Sequence, residues 1–111
     1  MGRAEDQRAE LRVSDQAQLG PLREFLRAVR PDVRVSLFPG QPEPGEQGAL
    51  DFLAVIASSS GLVAAVKVLP EFLRSRKTGL SITMTVKGEP FTLTATNVDD
   101  VIPIMERLLD A

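Results

Sequence analysis

Ser58, Ser59 and Ser60 stand in a row with Lys67 as the nearest base, and they are the first residues whose types could do chemistry. A serine nucleophile needs an adjacent general base and a third group to orient it, and the chain contains no histidine. The run reads instead as a helix break or cap, because serine oxygens accept hydrogen bonds from the free N–H groups of a helix start. Asp99 and Asp100 could share a cation, but adjacent carboxylates at a helix start serve the cap and the macrodipole. Arg74, Arg76 and Lys77 could hold a phosphate or an anionic lipid; in the last turn of a helix they complement its dipole. Asp51 and Glu46 flank the start of an apolar stretch, where helix-start electrostatics accounts for them. Gly40 and Gly45 make no phosphate loop, since no Gly-Lys-Ser/Thr follows them.

Composition narrows the chemistry further. The counts of Cys, His, Trp and Tyr are all zero, which removes disulfides, Cys/His zinc sites, a Cys nucleophile and a His general base. The expectation is no enzyme, no metal and no cofactor. A net charge of −2 and five phenylalanines as the whole aromatic content argue against a nucleic-acid partner, which favours a basic surplus and stacking platforms. At 111 residues the chain makes one domain. Its first residues carry acidic groups and no apolar run, and Asp6 stands where a myristoylation motif wants Ser or Thr, so a cytoplasmic setting is expected.

The elements that must position these residues follow from periodicity. Residues 1–9 read as a solvated tail and 10–111 as the domain. Leu11 and Val13 alternate in a short strand. Asp15 stands as a cap before an amphipathic helix built on Leu19, Leu22, Phe25, Leu26 and Val29, which Pro31-Asp32 stops. Val33, Val35 and Leu37 alternate again, so a parallel β-α-β unit is expected. Residues 38–48, FPGQPEPGEQG, form a proline- and glycine-rich loop longer than most connections. Leu80 to Lys87 is the cleanest strand, with Leu80, Ile82, Met84 and Val86 on one face. Gly88-Glu89 is read as the turn into a returning strand with Phe91, Leu93 and Ala95 inward. Asn97 then caps a last helix carrying Val101, Ile104, Met105, Leu108 and Leu109, with Asp100 completing a capping-box pattern.

Between loop and hairpin lies the most apolar stretch, Ala49 to Leu69. Read as a helix it is apolar all round, with the serines and Gly61 breaking or kinking it. Such a helix goes into the core, into a partner or into a lipid bilayer. A spanning helix wants about 20 predominantly apolar residues, and three serines and a glycine occupy this one's centre. The neighbouring apolar faces need a cover that it alone is large enough to supply, so core burial is the primary reading, with membrane insertion of 49–69 as the alternative. The fold class is therefore α+β, in the order β-α-β-α(kinked or split)-β-β-α: a four-stranded mixed sheet with its helices on one face.

The ordered combination of these features resembles a known family. A short strand and an amphipathic helix are followed by PGEQGALD at 44–51, the small-residue break SSSGL, an apolar helix ending in EFLRSRK at 71–77, and a closing hairpin and helix. From Leu11 to Leu109 this is similar to the effector-associated constant component family of small bacterial proteins. The resemblance implies a non-enzymatic adaptor or regulatory component of a bacterial conflict, or immunity-like, system. Members are encoded with trypsin-like or caspase-like proteases and with signalling NTPases, so the implied partner is an effector protein or an NTPase encoded nearby. The family-like positions are Pro44, Gly45, Glu46, Gly48, Ala49 and Leu50 in the loop, and Phe72, Leu73, Arg74 and Arg76 at the helix end, with Phe72 standing where tryptophan is expected. These positions, Leu73 apart, are the implied partner contacts, and a homo-oligomer sharing the apolar surface stays open.

Overall fold

The computed structural model of the chain describes residues 6–40, 51–76 and 79–110. Its elements are β1 (Gln7–Val13), a 3-10 turn (Gln16–Gln18), α1 (Leu19–Val29), β2 (Arg34–Phe38), β3 (Phe52–Ala57), α2 (Ser59–Ser75), β4 (Ser81–Val86), β5 (Glu89–Thr94) and α3 (Val98–Asp110). The sheet has five strands in the order β2-β3-β1-β4-β5, and each neighbouring pair runs antiparallel. The fold is α+β as expected, but the sheet is neither four-stranded nor mixed.

The difference arises at one place. Residues 52–57, FLAVIA, form a strand and not the first turns of a helix. This strand enters between β1 and β2, so those two are parallel in direction without being neighbours, and the expected β-α-β pair does not form. The long apolar stretch thus divides into β3 and α2, and among the described residues no helix is long and apolar enough to cross a membrane. The serine run marks the strand-to-helix boundary: the Ser58 hydroxyl accepts from the Gly61 N–H at 3.2 Å and caps α2. Pro70 lies within α2 and Pro103 within α3. β1 begins at Gln7, with Ala9 fully buried, so residues 7–9, read as tail, belong to the sheet, while residues 1–5 lie outside the described residues.

Two turn assignments also change. The hairpin turns at Lys87-Gly88, both with positive φ (52° and 81°), and β5 resumes at Glu89. Paired left-handed residues are what a two-residue hairpin needs to match strand twist. Asn97 precedes α3, but its side chain accepts from the Thr94 N–H at 2.8 Å and donates to the Thr92 carbonyl at 3.0 Å. It therefore fastens the end of β5 where a helix cap was expected. Ala95 lies beyond β5 and is exposed.

Alternation sorts the two sheet faces. Ala9, Leu11, Val13, Leu53, Val55, Ile82, Met84, Val86 and Leu93 are buried beneath the helices. Against them α2 sets Leu62, Val66, Leu69, Phe72 and Leu73, α1 sets Leu22 and Leu26, and α3 sets Val98, Met105 and Leu109. Helices α2 and α3 run antiparallel, with Arg74 paired to Asp99 at 2.7 Å and Lys67 to Glu106 at 3.9 Å. No polar or charged residue among those described is buried.

The first turn of α2 packs against the end of β3 with no room to spare. A Cβ added at Gly61 would lie 2.8 Å from the Ala57 Cβ, closer than such atoms approach. Alanine at a helical position gains roughly 0.8–1 kcal/mol over glycine from helix propensity, yet overpacking a tight contact costs about 1–3 kcal/mol. Gly61→Ala is therefore expected to destabilise the protein in chemical denaturation, and adding Ala57→Gly should recover part of the loss. A stabilised single variant would show that helix and strand can separate freely here.

Candidate functional site

The loop between β2 and β3 is held at its base by contacts that sequence reading missed. Phe38 and Phe52 are register partners, and their rings stack with centroids 5.7 Å apart on the sheet face that carries no helix. The Arg12 guanidinium lies 4.6 Å from the Phe52 ring centre, and Arg8 lies 5.7 Å from that of Phe38. Glu10, between them on β1, pairs with Arg12 at 3.1 Å and with Arg8 at 3.4 Å. Each exposed Arg–Phe contact is worth roughly 0.5–1 kcal/mol, and exposed ion pairs about as little. Together they fix the rotamers of two cations and two aromatic rings in a surface that solvent reaches.

A second clamp lies beside this one. The Asp51 carboxylate accepts from the Gly40 N–H at 2.9 Å, so the two ends of the connection are tied directly. The Asp51 N–H in turn donates to the Gln16 side chain at 3.1 Å. Gln16 belongs to the 3-10 turn that Asp15 caps by accepting from the Ala17 N–H at 3.0 Å. The expected role of Asp51 at a helix start is thus replaced by closure of a loop.

Of the residues expected to touch a partner, Pro44, Gly45, Glu46, Gly48, Ala49 and Leu50 lie outside the described residues. Phe72 is fully buried, its ring tilted against that of Phe25 at 5.4 Å, so it offers no surface of its own to a partner. The Arg76 guanidinium lies over the same ring, 4.4 Å from its centre. Its Nε is buried without a hydrogen-bond partner. Arg74 is exposed and joins Asp99. Arg76 lines a cleft of about 750 Å³ together with Ser14, Asp15, Gln18, Ser75 and Leu80. Asp15 and Gln18 flank or belong to the same 3-10 turn that Asp51 contacts. The loop base and the end of α2 are thereby brought to one end of the sheet, where β1 finishes and β3 and β4 begin.

Of the remaining sequence candidates, Lys77 lies outside the described residues, and most of the others have structural partners. Ser58 caps α2, Ser59 accepts from the Gln7 side chain, and Lys67 and Asp99 are in ion pairs. No group of three or more metal-ligating side chains occurs among the described residues. Arg8 escaped notice because residues 1–9 read as tail, Glu10 and Arg12 because only the apolar face of their strand was weighed, and Phe38 because it opened the loop. The available signal was the alternation Arg8-x-Glu10-x-Arg12, which continues the period of Leu11 and Val13 on the opposite face.

Removing the carboxylate tests the loop clamp. Asp51→Ala should cost about 1 kcal/mol and raise hydrogen exchange at the Gly40 amide, while Asp51→Asn, which keeps an acceptor, should retain most of the protection. Unchanged exchange in the alanine variant would show that the Phe38–Phe52 stack alone closes the loop.

None of the curated proteins or solved structures compared with this chain matches it. The family comparison does: the Effector Associated Constant Component 1 model matches residues 6–110. That span takes in all five strands and all three helices, and the chain belongs to this family of effector-associated components.

Proposed function

We propose that the chain is a non-enzymatic adaptor or regulatory component of a bacterial conflict system. It binds an effector of the protease-like kind or a signalling NTPase through the β2–β3 loop and the open sheet face at its base. The observation that carries this reading is the pre-ordered patch of Phe38, Phe52, Arg8 and Arg12 on the one sheet face without helices. Aromatic side chains, phenylalanine among them, and arginine are enriched in protein interfaces relative to the rest of the surface. Fixing them before contact lowers the entropy lost on association. The clamp at Gly40 and Asp51 serves the same end, because it holds the two ends of the loop a fixed distance apart. The family match adds association with an effector, and a cytoplasmic setting goes with partners of this kind.

The reading also explains why polar groups lie where they do. An enzyme keeps titratable groups in a pocket shielded from water; here no described charged residue is buried, and many stand in surface pairs or over rings. The end of α2, with Arg74 and Arg76, borders the same end of the sheet and forms the far rim of the docking surface.

Co-expression with the proteins encoded beside it tests the assignment. The chain should co-purify with one of them. Glu46→Ala with Leu50→Ala, and separately Phe38→Ala with Arg12→Ala, should each weaken capture by at least about tenfold while far-ultraviolet circular dichroism stays unchanged. Undiminished capture by both folded variants would remove the loop and the open face as the docking surface.

A further inference from the structure

Strand β2 is outermost in the sheet, and no described residue pairs with its free edge. Its sequence, RVSLF, holds no proline, and Leu37 and Phe38 remain 46% and 42% exposed. An edge like this is a template for an added strand. The other outer strand, β5, carries Pro90, which cannot donate to a neighbour. Beside the first half of β2 runs a cleft of about 450 Å³ whose lining includes Arg23, Arg27, Pro31, Val33, Arg34 and Val35. Arg23 and Arg27 lie one turn apart on α1, and among the described residues neither has a hydrogen-bond or ion-pair partner. The Arg23 Nε is buried as well as unpaired. Arg34 meets only a loose pair with Asp6, at 3.7 Å, between two exposed side chains.

We propose that this edge receives an extended acidic segment of a partner protein as a sixth strand. The incoming backbone pairs with β2, and its carboxylates take the guanidinium groups of Arg23 and Arg27. The spacings agree: residues i and i+2 of a strand project on one face roughly 6.6–6.8 Å apart, and Cβ atoms at i and i+4 of a helix stand about 5–6 Å apart. Alternate acidic residues of one strand therefore reach both arginines, while the exposed edge of Phe38, on the opposite face of the sheet, takes an apolar neighbour. Charge decides against a second copy of the chain, since a two-fold pairing of β2 with itself would bring together two sets of unpaired guanidinium groups. The proposal rests on the reading of the chain as a docking component for the partner's identity, but the contact is tested by itself.

The probe is a fluorescein-labelled peptide of alternating Glu and Val, with a Lys-for-Glu peptide as control, titrated with the full chain and read by anisotropy. The acidic peptide should bind saturably, with affinity falling as salt is added, and hydrogen exchange should slow at Val35 to Leu37. The double variant R23E/R27E should weaken binding by about tenfold or more, and R23K/R27K should weaken it less. Equal binding of the lysine peptide, no binding of the acidic one, or protection confined to other strands overturns the proposal. So does a concentration-dependent dimer, seen by sedimentation, that protects the same amides without peptide. Failure of the peptide with co-purification intact would remove the edge and leave the adaptor reading standing; loss of co-purification alone would do the reverse.

Discussion

Leu53 and Val55 of β3 face Leu11 and Ala9 of β1 on one side, and Leu37 and Val35 of β2 on the other. This double pairing is the constraint on which the rest of the architecture depends. A strand flanked on both sides needs its backbone groups paired in both directions, and β3 satisfies this only by separating β1 from β2. The connection from β1 through α1 to β2 must then pass over a strand position that is filled later in the chain. Helix α2 has to turn back sharply from the end of β3, because the apolar face it covers starts beneath Ala57. The close approach of Gly61 to Ala57 is the local form of that requirement, and the Ser58 cap lets the helix begin within two residues of the strand's end.

The same insertion builds the open face. Phe52 and Phe38 are neighbours only because β3 and β2 pair in this register, and Arg12 and Arg8 reach those rings only because β1 lies on the other side of β3. Ala54 is 1% exposed on this otherwise wet face, between Glu10 and Ser36 in the register. Towards β5 the face changes to Ser81, Thr83, Thr85, Thr92 and Thr94, with Thr83 and Thr92 hydroxyls 3.4 Å apart. Ring and guanidinium groups are thus confined to the part of the sheet that adjoins the loop, and the remainder displays what an ordinary solvated antiparallel sheet displays.

Much of this was legible in the sequence, and the exception has a physical cause. Strict alternation in Ser81–Val86 and helical spacing in Leu19–Val29 each have one polar face, so period and burial agree. Residues 52–57 have none: Phe52, Ala54 and Ile56 are as apolar as Leu53, Val55 and Ala57. A strand apolar on both faces gives a continuous apolar run that periodicity cannot separate from a buried helix, least of all when a true helix follows after a single residue. Mistaking it also hid the site. Without β3, Phe38 has no stacking partner, Asp51 reads as a helix-start charge, and Arg8 falls in a tail. The family-like helix end, in contrast, was visible as EFLRSRK, but only the structure separates Phe72, which fills the core, from Arg76, which shields its ring from solvent.

The two outer strands show how the chain distributes its polarity. Natural sheets protect their edges with proline, charge or a covering element. On β5 the guard is Pro90 together with the tie from Asn97 to Thr92 and Thr94. On β2 it is charge alone, placed beside the strand on α1 and at its first residue, Arg34. A guard of one sign is selective where proline is not. It raises the cost for a neutral or basic strand, which must desolvate guanidinium groups without pairing them, and lowers it for an acidic strand that supplies the missing partners. With the described charged residues at the surface and none buried, the fold itself does not depend on these arginines. Their unpaired state is tolerated because Arg27 is exposed and Arg23 only half-buried, and it leaves the edge strand protected from its own kind yet open to a partner of opposite charge.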